Sequence, residues 1–135
     1  MSFALDARLS QDTDFIGDWP LCRVLLMNDA RWPWLILVPR RAGLVEITDL
    51  DAGERAALIE ETARAADWLK AYTGTEKINV GALGNIVRQL HVHVVARRAG
   101  DPAWPGPVWG FGAAVPYEEA ALRARIEAAR SGLNA

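Results

Sequence analysis

Apolar positions along this chain alternate in some stretches and recur at helical spacing in others, and the switches between the two mark out its elements. L-C-R-V-L-L-M-N (21–28) is rich in strand formers and runs into the turn-rich N-D-A-R-W-P. W-L-I-L-V-P-R (34–40) predicts a second strand, and the short connection makes the pair an antiparallel hairpin. From Asp51 the period becomes helical: Leu58, Ala65, Leu69 and Tyr72 recur at +7, +4 and +3, with Ile59, Ala63 and Ala66 joining the stripe. Asp51 with Glu54 has the form of a capping box, and Gly74 is a fitting C-terminal stop. K-I-N-V-G-A-L (77–83) alternates again, with Ile78, Val80 and Ala82 on one side. Beyond a G-N-I-V-R link, Leu90, Val92, Val94 and Ala96 share one face of a strand, while Gln89, His91, His93 and Val95 share the other. The segment from Ala99 to Gly112 is rich in proline and glycine and has no period. Y-E-E-A-A-L-R-A-R-I-E-A-A-R closes the pattern as a helix with Leu122, Ile126 and Ala129 on one stripe. Strands, a helix and more strands predict an α+β fold with an antiparallel sheet.

Composition narrows the class. With 135 residues, 51% of them hydrophobic, the chain is sized for one domain with a core of its own. Its most apolar run, Trp34–Val38, is strand length and far short of the roughly 20 residues of a membrane span. The N-terminus lacks a basic-then-apolar signal layout. The single cysteine, Cys22, cannot form an internal disulfide and reads as a small buried residue of a strand. These features predict a cytoplasmic protein. A net charge of −2 argues against nucleic acid as a partner. The Arg40–Arg41 and Arg97–Arg98 pairs read as solvated strand ends. Six tryptophans are present, and Trp32, Trp34, Trp104 and Trp109 adjoin proline or glycine, placing them at a core edge, a pocket or a partner surface.

The chemistry concentrates in Q-L-H-V-H-V-V-A-R (89–97), which holds both histidines of the chain. Period-two geometry sets Gln89, His91 and His93 about 6.5–7 Å apart along one side of a strand. Such a row admits three readings. It can be a polar face turned to water, or a zinc grip, for which a third ligand is not evident nearby. It can also serve phosphoryl chemistry: a neutral imidazole is a good nucleophile near pH 7, and a phosphorus-bound histidine divides one displacement into two easier ones.

The same stretch resembles the strand motif of the histidine triad (HIT) family, in which three histidines alternate with apolar residues and two apolar residues follow. The likeness continues outward. L-L-M-N-D and L-I-L-V-P-R resemble successive strands of the family, D-L-D resembles its helix start, and I-N-V-G-A-L-G-N-I-V-R-Q resembles its glycine-containing approach to the triad. The resemblance, to the diadenosine polyphosphate hydrolase-like bacterial members in particular, spans roughly residues 14–100. It implies a sheet of about five antiparallel strands with a long helix packed on it and a C-terminal helix. Residues 1–100 would form the HIT-like domain, and 101–135 a tail and helix belonging to that domain or to a dimer interface. It implies a hydrolase or transferase acting at the α-phosphorus of a dinucleoside polyphosphate or nucleoside phosphoramidate. His91 is then the catalytic nucleophile, carrying a nucleotidyl intermediate. His93, Gln89, Gly84 and Asn85 contact the phosphate, while Asn28 and Asn79 meet the nucleotide. The covalent step calls for no metal or other cofactor, although magnesium can accompany the substrate, and the expected assembly is a homodimer.

Three departures bear on activity. Gln89 replaces the first histidine, and its amide can donate a hydrogen bond but cannot carry charge or act as an acid. Trp34 stands where many members have histidine, and Ile86 where several have a hydroxyl near the leaving group. A catalytically weak nucleotide sensor on the same fold is therefore the alternative, with a metal-dependent enzyme using His91 and His93 as a third reading.

Overall fold

The computed structural model describes residues 2–135. Its elements are α1 (Ala7–Asp12), β1 (Thr13–Asp18), β2 (Cys22–Met27), β3 (Trp34–Pro39), a 3-10 turn (Ile47–Asp49), α2 (Ala52–Thr73), β4 (Lys77–Gly81), β5 (Val92–Arg97) and α3 (Glu119–Leu133). The strands form one five-stranded sheet in the order β1-β2-β3-β5-β4, with every neighbouring pair antiparallel. This is the α+β architecture that the periodicity predicts.

Alternation along the strands feeds two layers. On one face Val24, Leu26, Leu35, Leu37, Val92 and Val94 pack with Leu58, Ala65 and Leu69 of α2 and Ala129 and Leu133 of α3. On the other, Leu25, Ile36, Val38 and Val95 pack with Leu9 of α1, Trp32 and Val108. Central strands β3 and β5 are therefore buried along their whole length. Each fully buried aliphatic side chain contributes roughly 1.5–3 kcal/mol. Helix α2 begins with the expected box: Glu54 N–H donates to the Asp51 carboxylate at 2.8 Å, and Asp51 N–H to the Glu54 carboxylate at 3.1 Å. It ends at Gly74 in the left-handed region, φ +72°. Glu61, buried on α2, accepts from the backbone N–H groups of Leu21 and Cys22 and ties the helix to β2. Burial first, then the Glu61 charge, pushes the Cys22 thiol well above its ordinary pKa, so it stays protonated.

Several expectations need correction. Ile59 and Tyr72 are exposed. Ile59 lies one position past Leu58, about 100° further round the helix, and Tyr72 stacks on Trp68 with ring centroids 4.7 Å apart. Residues 7–18 form α1 and β1, which the apolar pattern does not announce, because register shifts between Phe15 and Gly17 break the alternation. β5 starts only at Val92, so Gln89 lies in a bend ahead of it and His91 immediately precedes the strand. Arg97 is no solvated strand end. Its Nε and Nη2 donate to Asp101 at 2.7 and 3.0 Å, Nη1 to Asn79 Oδ1 at 2.8 Å, and Nη2 also to the Gly106 carbonyl at 2.8 Å. This buried fork fastens the proline- and glycine-rich segment to the end of β5.

Candidate active site

α1 and the 108–114 segment do not fully cover the second face of the sheet. Between them lies a hollow of about 470 Å³, lined also by Trp34, Ile36 and the loop from Leu83 to Val87. His91 and His93 both line it, with 6% and 8% of their surface exposed and ring centroids 4.9 Å apart. His93 is placed by β5, where it pairs with Ile36 of β3 and Gly81 of β4. His91 shares the face although it precedes the strand.

The partners of the two rings set their tautomers. His91 Nδ1 lies 2.6 Å from the carbonyl oxygen of Gln89. A carbonyl only accepts, so Nδ1 carries a hydrogen, and in the neutral ring the lone pair is therefore on Nε2. His93 Nδ1 lies 3.0 Å from Trp34 Nε1. An indole N–H only donates, so His93 Nδ1 is the bare nitrogen and Nε2 carries the hydrogen. The rings are thus held in opposite tautomers, one offering a lone pair and the other a donor. Burial of the His93 ring first, and then repulsion between two like-charged imidazoliums should His91 take a proton, lower its pKa to about 3, leaving it neutral near pH 7.

The aromatic surroundings hold this arrangement. Trp34 packs at 5.6 Å from the His93 ring and 6.5 Å from Trp109, and Trp109 lies 5.5 Å from His93. Gly81, across from His93, makes room for Trp109: a Cβ there would stand 3.0 Å from the indole. Gly84 turns the loop at φ +71°, a conformation that favours glycine, and Gly84 and Asn85 both line the hollow. Ile86 lines it too and is 75% exposed at the rim.

Three residues expected at the substrate have other partners. Gln89 does not line the hollow with the histidines. Its Oε1 accepts from the backbone N–H of Asp6 at 2.8 Å, and its Nε2 donates to the Ala4 carbonyl at 2.9 Å, so both ends of the amide hold the N-terminal segment. Asn28 Oδ1 accepts from the Tyr117 N–H at 2.9 Å, and Asn79 Oδ1 accepts from Arg97. Neither asparagine lines the hollow. Gln89 and Asn28 lie where a segment distant in sequence crosses and requires a partner for its polar atoms, and Asn79 is taken up by the buried Arg97 of the neighbouring strand.

Residues that the motif does not reveal complete the walls. Asp29 and Arg31 form a two-pronged pair, Nε and Nη2 donating at 3.0 and 2.8 Å, and Arg31 Nη1 reaches the Phe111 carbonyl at 2.5 Å. Burial alone would raise the Asp29 carboxyl, but Arg31 and two backbone N–H groups outweigh it and hold it below the ordinary range. The N-D-A-R spacing is the sole sequence signal of this pair. Arg8 and Leu9 of α1, and Val108, carry none, whereas Trp109 lies in a pocket as its neighbouring glycine allows. Among the described residues, no three His, Cys, Asp or Glu side chains gather as a metal-binding group.

Comparison with known proteins adds an independent line. The family model described as HIT domain matches residues 8–100. A crystal structure of a histidine triad protein from Bradyrhizobium japonicum is 47% identical over 98% of this chain and 99% of its own, with a TM-score of 0.95. A histidine triad (HIT) protein from Sinorhizobium meliloti 1021 is 56% identical over 96% of each chain, with a TM-score of 0.93. A histidine triad protein from Marinobacter aquaeolei VT8 is 44% identical over 99% of this chain and 98% of its own, with a TM-score of 0.96. No curated protein matches.

Proposed function

This chain belongs to the HIT domain family, whose members include nucleotide hydrolases and transferases, and from that premise we propose that it cleaves a nucleoside phosphate derivative at the α-phosphorus through a nucleotidyl intermediate on His91. The observation that carries the reading is the pair of opposite tautomers. The His91 Nε2 lone pair attacks phosphorus as the bond to the leaving group breaks, and the leaving group departs with that electron pair. His93 Nε2–H, held neutral, donates to a non-bridging oxygen as charge shifts onto it, and the Gly84–Asn85 turn brings backbone close to the same oxygens. Water, or another hydroxyl-bearing acceptor, then attacks phosphorus and gives up its proton to solvent as the phosphorus–nitrogen bond breaks, which releases the nucleotide and returns the electron pair to His91 Nε2. The covalent step needs no metal, and magnesium enters only with a polyphosphate substrate. Apolar side chains along the hollow, Leu9, Met27, Ile36 and Val108, suit a nucleobase. Suitable substrates are dinucleoside polyphosphates and nucleoside phosphoramidates.

A His91→Asn variant is expected to bind nucleoside monophosphate within a few-fold of the native chain while losing turnover on both substrate classes. Retained turnover in that variant excludes His91 as nucleophile.

A second reading, a slow nucleotide sensor, has one observation in its favour: neither His93, which is neutral, nor Gln89, which is turned elsewhere, brings a cation to the hollow. Tight nucleotide binding without turnover across a panel of adenylated and guanylated compounds would select it.

A further inference from the structure

A second cavity, of about 570 Å³, lies toward the opposite end of β5 from the histidines, bordered by the end of α2, the Ala30–Pro33 turn, the loop from Arg98 to Pro102, and α3. Four guanidinium groups line it, those of Arg31, Arg97, Arg98 and Arg125, against one carboxylate, Asp101. Two of the four are already neutralised, Arg97 by Asp101 and Arg31 by Asp29. Arg98 and Arg125 form no ion pair among the described residues.

Arg125 is the more telling of the two. It is half-buried, with its guanidinium carbon 5.5 Å from the Tyr72 ring centroid and 5.3 Å from that of Tyr117, and its Nη1 donates to the Tyr117 hydroxyl at 2.9 Å. The group is therefore held in place by aromatic rings and a neutral oxygen, with no anion to balance it. Most of the chain's other arginines end on a carboxylate or a backbone carbonyl, as Arg23, Arg41, Arg64 and Arg130 do. A pre-positioned, partly desolvated guanidinium without a counter-charge, facing a polar cavity, is arranged for an anion that comes from outside the chain.

We propose that this cavity is a binding site for a compact phosphate-bearing anion, separate from the histidine hollow, with Arg125 and Arg98 as its recognition groups. The planar forks of two guanidiniums match the oxygens of a pyrophosphate-like group, and the volume accommodates a small phosphorylated molecule rather than the bare ion alone. Arg31, which borders both cavities, and Arg97 supply a fixed basic wall behind them.

The test is titration of the full chain with inorganic pyrophosphate, followed by backbone amide shifts. Saturable shifts are expected at residues 72–75 and 96–101. Arg98→Gln and Arg125→Gln should each weaken them by about tenfold or more, while any shifts at residues 84–93, from pyrophosphate entering the hollow, persist. Arg98→Lys, on an exposed loop and keeping the charge, should restore part of the affinity and shows whether the fork matters. Three results overturn the proposal: shifts confined to 84–93, shifts at 96–101 that never saturate, or saturable shifts that folded Arg98→Gln and Arg125→Gln variants leave unchanged. Sedimentation run alongside supplies a fourth, if these amides answer to protein concentration and not to pyrophosphate, because a second copy of the chain then covers the cavity.

Discussion

Two ring nitrogens carry most of the chemistry of this site, and each is defined by a partner of one hydrogen-bonding sense. The Gln89 carbonyl fixes the hydrogen of His91, and the Trp34 indole fixes the lone pair of His93. With its pKa lowered to about 3, His93 should keep neutral-ring ¹⁵N shifts, bare Nδ1 and protonated Nε2, from pH 8 down to about pH 4.5. A midpoint near the unperturbed value of about 6.5 would contradict this. The same shift acts on stability. The unfolded imidazole takes its proton near pH 6.5 and the folded one only near 3, so the unfolded chain binds more protons in between. The His93 contribution is complete above about pH 6.5 and is lost as pH falls toward 3, with a limiting slope of about 1.4 kcal/mol per pH unit. Urea denaturation at pH 7 and pH 5 reads that slope, above the range where Asp29 and Asp101 titrate, both held low in the fold. Trp34→Phe keeps most of the packing but strands a buried acceptor. It should cost about 1–3 kcal/mol of stability, release the His93 tautomer, and lower turnover by up to ~10²-fold. Unchanged ¹⁵N tautomer shifts in that variant would remove Trp34 from this role.

Elements show why Gln89 misleads as a fragment of motif. Read as a continuous strand, residues 89–97 place its amide beside the imidazoles, but the strand begins at Val92 and the preceding bend turns that amide to the Ala4–Asp6 backbone. Asp6 in turn caps α1, which lines the hollow through Arg8 and Leu9. Gln89 is thus a clasp on a wall of the site. Gln89→His should bring no gain in turnover and should speed amide exchange over residues 4–12, because the two ring nitrogens diverge and cannot meet the Asp6 N–H and the Ala4 carbonyl together as the side-by-side amide atoms do. A rate increase would instead place this side chain among the reacting groups. The Arg97 fork performs the matching task for the segment after β5. Asp101→Asn leaves a buried guanidinium uncompensated and should cost about 3–5 kcal/mol in urea denaturation. A loss below 1 kcal/mol would mean that the pair is not buried in solution.

Across the whole molecule, what was legible in the sequence was what depends on local period: the β2–β3 hairpin, α2 with its capping box, and the alternation that sends His91 and His93 to one face. Polar contacts between segments more than eighty residues apart were not legible. The walls of the hollow come from residues 8–13 and 108–114, whose apolar side chains have no period of their own and gain meaning only against the far face of the sheet. The partners of Asn28 and Gln89 were hidden for the same reason, since nothing within a few residues of either announces the chain that crosses it, while Asn79 meets Arg97 of the neighbouring strand. Trp34 was legible as a departure from the family pattern, yet its role needed the neighbouring strand: it faces Val95 in the sheet and reaches His93 from there. No described helix is long and apolar enough to cross a membrane. The measurement that reaches the centre of this account is mass mapping of a rapidly acid-avoiding quench with an adenylated phosphoramidate substrate. A nucleotidyl adduct confined to the peptide bearing His91, and lost in His91→Asn, is the predicted result; full turnover with no adduct on that peptide would contradict it.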